Sequence, residues 1–170
     1  MKKTICLIVM LCTGLLLNAC GQTTDQAYAL MLRGLYKESV PTVSVQQLNQ
    51  QLQQKKAPVL IDARSEAEYK VSHIAGARFA DYDTFKPSQL KDVPKHTPVV
   101  VYCSVGYRSE RVGEQLLKAG YTNVHNLYGG LFEWVNQGNP VYNNRGKTDK
   151  VHAYSRSWGV WLQKGEKVYE

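Results

Sequence analysis

Cysteine is nearly missing from the body of this chain. Of four cysteines in 170 residues, Cys6, Cys12 and Cys20 crowd the N-terminus and only Cys103 lies beyond them. Residues 21–170 therefore hold no pair from which an internal disulfide could form. Charge is not concentrated either. Lysine and arginine outnumber aspartate and glutamate 21 to 14, a net of +7, yet no basic cluster stands out. That argues against a nucleic-acid binder, while a mildly basic surface favours small anionic substrates by electrostatic steering. Internal repeats and low-complexity tracts are absent. What is present is ordinary: 44% hydrophobic residues over a length that suits one domain with appendages.

The N-terminus accounts for the crowded cysteines. Lys2 and Lys3 precede an apolar stretch from Ile5 to Leu17. That stretch is short for a bilayer-spanning helix, which takes about 20 residues. Leu17-Asn18-Ala19-Cys20-Gly21 resembles the lipobox of bacterial lipoproteins. The resemblance implies a signal peptide over 1–19, cleavage before Cys20 and lipid on its thiol. Several acyl chains, each buried methylene contributing about 0.8 kcal/mol, anchor a protein firmly. Gly21, where an aspartate would mark retention, resembles outer-membrane sorting with the domain facing the periplasm. Ordinary secretion and a short uncleaved anchor are the alternatives. Loss of Lys2 and Lys3 would lower the net charge from +7 to +5. On this reading Cys103 is the lone free thiol of an exported protein and a reactive-thiol candidate. An inert cysteine at a strand end is the competing, structural reading.

Along the rest of the chain, strand and helix signals alternate. Residues 20–40 read as the lipidated cysteine, a polar tether and a short apolar helix ending near Gly34. Thr42-Val43 is a short strand, and Ser44-Val45-Gln46-Gln47 fits a capping box opening a helix with Val45, Leu48 and Leu52 on one face. Pro58 to Asp62 is a strand opened by proline. Ser65 to Tyr69 is helical, Ala77 to Ala80 a third strand and Pro98 to Cys103 a fourth. The fourth is a β-branched run suited to burial on both faces. Ser109 to Ala119 is a helix with Val112, Leu116 and Leu117 inward and Gly120 past its end. Asn123 to Leu127 is a fifth strand, and Gly129-Gly130 turns into a last short helix. The pattern implies an α/β domain over 41–140, a mainly parallel five-stranded sheet with helices on both faces. Residues 141–170 form a basic, aromatic extension in which Asn143 to Lys147 looks like a surface loop. Its aromatics, Tyr142, Tyr154, Trp158, Trp161 and Tyr169, are expected to pack on the domain.

The chemistry gathers where the fourth strand ends. Cys103-Ser104-Val105-Gly106-Tyr107-Arg108-Ser109 puts a thiol at a helix N-terminus, with a guanidinium closing the loop. Backbone N–H groups of Ser104 to Arg108 can form a nest, and the helix adds its positive end. Both favour the thiolate, which is the nucleophile. Gly106 permits a backbone conformation that other residues resist. Arg108 supplies permanent charge and a planar donor fork for an oxyanion. The hydroxyls of Ser104 and Ser109 can donate to the same anion, although Ser109 fits simple helix capping equally well.

Here the resemblance is plain: the chain is similar to single-domain rhodaneses, a sulfurtransferase family. Leu60 to Tyr69 resembles the family's D-x-R motif followed by E-[FY]. Ser72-His73-Ile74-Ala75-Gly76-Ala77 resembles G-H-I-x-G-A. Cys103 to Ser109 resembles the C-x-x-G-x-R-S active loop, and Leu127-Tyr128-Gly129-Gly130 with Trp134 the closing G-G-x-x-x-W. The likeness spans roughly 42–140, with four motifs in order. Ser72 replaces the usual glycine and Ala75 a frequent proline, both in a connecting loop.

The resemblance implies a rhodanese-like fold and covalent, ping-pong chemistry. The Cys103 thiolate takes a sulfane sulfur from a small anionic donor such as thiosulfate. A thiophilic acceptor, cyanide or a thiol, then removes it. Loop N–H groups would hold the persulfide, and Arg108 would bind the donor or stabilise the loop. Asp62 is expected to orient Arg108 by an ion pair. Arg64 is expected to hold local structure with Glu68, or else to touch substrate. His73 reads as a structural histidine, since chemistry on a preformed thiolate needs no general base. No cofactor or metal is implied. Two other readings compete. Related cysteine phosphatases and arsenate reductases use a loop one residue longer, and the four residues between Cys103 and Arg108 suit a sulfur atom better than a phosphate. A lipid-anchored binding or redox-sensing module would keep the loop and turn over little.

Overall fold

The structure, a computed structural model, describes residues 25–54 and 57–169. The signal peptide expected over 1–19 and the lipidation expected at Cys20 fall outside the described residues. The chain divides into two units, Met1–Leu35 and Tyr36–Glu170. In the first, residues 25–35 form helix α1, which runs through Gly34 rather than stopping there.

The second unit is built on a parallel sheet. Its strands are β1 (Thr42–Val43), β2 (Val59–Asp62), β3 (Arg78–Phe79), β4 (Val99–Tyr102) and β5 (Val124–Leu127), in the order β1-β5-β4-β2-β3. Helices α2 (Val45–Leu52), α3 (Glu66–Val71), α4 (Tyr107–Lys118) and α5 (Gly130–Asn136) join and cover them. Local chemistry accounts for the helix starts. Ser44 accepts from the Gln47 N–H while the Gln47 side chain reaches back, and Ser65 does the same with Glu68. Gly120 turns left-handed just past α4, and Gly106 sits left-handed just before it.

Central β4 is buried at every position, as its β-branched sequence requires. Val99 and Val101 pack with Ile61, Val112 and Leu116 on one side. Val100, Tyr102 and Leu60 are buried on the other. Burying each of these side chains contributes about 1.5–3 kcal/mol. Register places Asp62 beside Tyr102, and Ala63 N–H donates to the Tyr102 carbonyl. The connections from β2 and β4 leave in opposite directions across the sheet, and open α/β sheets hold their ligands beyond the ends of two such strands.

The extension is more ordered than its sequence suggests. Asn143 to Lys147 lies at the surface as expected, with 144–147 exposed, but as the tip of an antiparallel hairpin, β6 (Val141–Asn143) and β7 (Gly146–Thr148). A parallel pair follows, β8 (Lys150–His152) and β9 (Glu166–Val168). Tyr142 and His73 exchange both main-chain hydrogen bonds, which ties the hairpin to the domain. Its aromatics divide: Tyr142, Trp158 and Trp161 are half-buried, whereas Tyr154 and Tyr169 stay exposed.

Candidate active site

Cys103 leaves the end of β4 with 1% of its surface exposed, and the Gly106 N–H points back at its sulfur from 3.1 Å. The sulfur thus sits inside the turn that starts α4, at the positive end of that helix. Several residues hold the turn from outside. The N–H groups of Leu131 and Phe132, otherwise unpaired at the start of α5, donate to the carbonyls of Cys103 and Ser104 at 2.8 and 3.0 Å. Asn126 of β5 donates to the Gly106 carbonyl and accepts from Ser109 Oγ. Tyr36 Oη donates to the Val105 carbonyl and accepts from the Gly129 N–H. Burial pushes the Tyr36 phenol far up, so it remains a neutral donor.

Two glycines make this packing possible. At Gly106, φ is 107° and a Cβ would run into the Tyr36 hydroxyl. At Gly130, φ is 58° and a Cβ would strike the Cys103 carbonyl. Both combine a left-handed backbone with a close approach that a side chain forbids.

Arg108 does not pair with Asp62. It forks onto Glu68, Nη1 to Oε2 at 2.8 Å and Nη2 to Oε1 at 2.7 Å. Ser104 Oγ joins the same cluster, donating to Glu68 Oε1 at 2.7 Å and accepting from Arg108 Nη2. It therefore supports the carboxylate rather than aiming its proton at a bound anion. Burial alone would raise the Glu68 pKa. The hydrogen bonds and charge of Arg108, helped by Arg64 and Ser104, outweigh this and hold it at about 2. Burial opposes the charge on Arg108 too, but Glu68 and the Cys103 sulfur more than offset it. Glu68 thus caps α3 through Ser65 and clamps the loop through Arg108.

The other expected partners also exchange. Arg64 does not reach for Glu68 as its ion-pair partner; its Nε and Nη2 fork onto Asp62 at 2.9 and 2.6 Å, and both residues are fully buried. Arg64 Nη2 also donates to the Ser72 carbonyl. The shared origin of these two side chains explains the pairing. They leave the end of β2 two residues apart, and Asp62 accepts the Arg64 N–H as well. Ser109 is neither a helix cap nor an anion donor, because it lies within α4 and donates to Asn126. The His73 ring stacks on Tyr69 at 4.0 Å and its Nδ1 sits 3.0 Å from the Tyr69 carbonyl oxygen.

Cys103, Ser104, Val105, Gly106 and Arg108 therefore converge, with Tyr107 at the rim, 42% exposed. Asp62 and Arg64 pair with each other, and His73 stacks on Tyr69. Sequence reasoning set Glu68 beside Arg64 rather than Arg108 and missed Asn126 and Tyr36 as supports. Only Glu68 carried a signal, the Ser65-x-x-Glu68 capping pattern.

Known proteins resemble the chain over the same stretch. Residues 44–137 match the family model described as the rhodanese-like domain. The sulfurtransferase of Allochromatium vinosum is 31% identical over 102 residues, covering 60% of this chain and 94% of that protein. The adenylyltransferase and sulfurtransferase uba4 of Ogataea parapolymorpha is 34% identical over 100 residues, covering 59% of this chain and only 25% of that larger protein. A rhodanese-related protein from Thermoplasma volcanium has a crystal structure that superposes with a TM-score of 0.52 at 24% identity, over 59% of this chain and 96% of that one.

Proposed function

The chain belongs to the rhodanese-like family, and on that footing we propose that it moves sulfane sulfur through a persulfide on Cys103. The thiolate attacks the outer sulfur of a donor such as thiosulfate. An S–S bond forms at Cys103, the donor's own S–S bond breaks, and sulfite leaves with the bonding pair. Cyanide or a thiol then attacks the outer sulfur and the thiolate returns. No external reductant or proton donor is needed in either step.

The observation that carries this reading is the small, closed turn around Cys103. The Gly106 N–H already reaches the sulfur, and four residues separate Cys103 from Arg108. A phosphatase reading is disfavoured by a further detail. Glu68 takes the terminal fork of Arg108 and Ser104 Oγ a further bond from Nη2, which leaves Nε and one N–H of Nη1, donors that diverge rather than form a fork for a phosphate. The thiosulfate and cyanide pair is offered as substrate class, and a binding or redox-sensing module remains the second reading. Steady-state assays of thiosulfate:cyanide transfer and aryl-phosphate hydrolysis, run side by side, test it. Transfer without hydrolysis is expected; hydrolysis alone would overturn it.

Location is part of the same proposal. Lipid on Cys20 would hold the domain at a membrane facing the periplasm, with no nucleic acid among its partners. Labelled palmitate should enter the full chain and fail to enter a Cys20→Ala variant. Equal labelling of both would exclude this anchor.

A further inference from the structure

The extension sends one side chain to the site. After β8 the chain turns sharply at 153–155. Ala153 N–H donates to the Val168 carbonyl and Ser155 N–H to the Ala153 carbonyl, both at 2.8 Å. Between them Tyr154 adopts φ 64°. A bulky L-residue resists that conformation, and glycine would take it freely. The Tyr154 N–H donates to His152 Nδ1 at 3.1 Å, which braces the turn from a buried ring. Burial, aided by Arg64 and Arg108 and opposed by Glu68, keeps His152 below its ordinary pKa and so in the neutral form that can accept this bond.

What the turn presents is a tyrosine ring 52% exposed, with the Arg108 Cζ 5.2 Å from its centroid. Exposure of that degree contributes little to the core, so packing does not account for an aromatic residue in a backbone conformation it resists. The guanidinium is held along its edge by Glu68 and Ser104, and its Cζ lies over the Tyr154 ring. Its Nη2 also donates to Ser104, the residue next to Cys103, at 3.1 Å.

We propose that Tyr154 is a positioning residue of the Cys103 site that strengthens its preference for anionic reactants, by stacking on Arg108 and keeping water from one face of the guanidinium. The stack restricts tilting of a planar cation and lowers the screening around it. Without the ring, Arg108 keeps its carboxylate but is more solvated on the side it shares with the extension. The anionic-donor part of this inference rests on the sulfur-transfer reading, whereas the electrostatic part does not.

The test uses the full chain with Tyr154→Gly and Tyr154→Phe. Cys103 is alkylated with iodoacetate, an anion, and with iodoacetamide, its neutral counterpart, and the ratio of rates is taken. Tyr154→Gly should lower this ratio about threefold to tenfold, the range expected for a cation–π contact. The thiosulfate KM should rise by a similar factor, with kcat within about twofold of the parent. Its melting temperature should match or exceed the parent's, because the left-handed turn suits glycine. Tyr154→Phe should keep both the ratio and KM. An unchanged ratio in Tyr154→Gly, equal damage in Tyr154→Phe, or a drop in melting temperature with Tyr154→Gly would overturn the proposal. Absence of thiosulfate turnover in the parent would overturn the sulfur-transfer reading alone, and the alkylation ratio would still decide the role of Tyr154.

Discussion

Two buried forks of carboxylate and guanidinium lie close together in this protein, and they do different things. Asp62 and Arg64 are sealed from solvent and come from the end of one strand. Glu68 and Arg108 come from α3 and α4, and Arg108 keeps 19% of its side chain exposed. The first pair locks the chain as it leaves β2. The second closes the loop that carries Cys103. Equal chemistry thus gives a scaffold where both charges are sealed, and a working clamp where one edge meets solvent.

Removing Asp62 should separate the two most sharply. Asp62→Ala leaves the Arg64 charge buried without its partner and should cost about 3–5 kcal/mol of stability, read by urea unfolding. A loss below about 1 kcal/mol, the scale of a surface pair, would break the distinction. Glu68→Gln should cost less, about 1–3 kcal/mol, because Arg108 can still reach water. Its sulfur-transfer rate should nevertheless fall at least about tenfold, since a loosened loop misplaces the nucleophile. Activity lost in proportion to stability would show that both forks are scaffold.

The clamp also has an acid limit. The folded Glu68 carboxyl titrates at about 2, against an ordinary value of 4.5. Its contribution is therefore complete above about pH 4.5 and is lost as pH falls towards 2. His152 adds a milder slope beginning higher. Its folded pKa is depressed below 6.5, so stability declines as pH drops below that value, where the unfolded chain gains the proton first. Urea midpoints across this range should show the His152 slope vanish in His152→Gln and the Glu68 slope vanish in Glu68→Gln. The smallest effect belongs to His73→Gln. Its ring stacks outside both forks, so stability should shift by about 0.5–1 kcal/mol and transfer should hold.

Much of this was legible in the sequence, for reasons that explain the rest. The strands β2, β4 and β5, the Ser44 capping box and the loop from Cys103 to Arg108 are local patterns, written in neighbouring residues. Ion-pair partners are not. Arg108 meets a residue 40 positions away, and only the fold brings α3 beside the loop, so Asp62 looked like its natural partner. Glu68 was readable as a cap but not as a clamp. The extension hid its strands because each is three residues long, and β7 and β9 are polar and largely exposed, which leaves no alternation to read. Nothing in the sequence around Tyr154 marks it, since the role proposed for it depends on a turn braced by β9.

The central claim is that the closed turn at the end of β4 makes Cys103 a carrier of sulfur. Intact mass of the protein after thiosulfate treatment tests it most directly. The mass should rise by one sulfur atom, return on cyanide addition, and stay unchanged throughout in Cys103→Ser. No adduct on the native protein, or the same adduct on Cys103→Ser, would contradict the account.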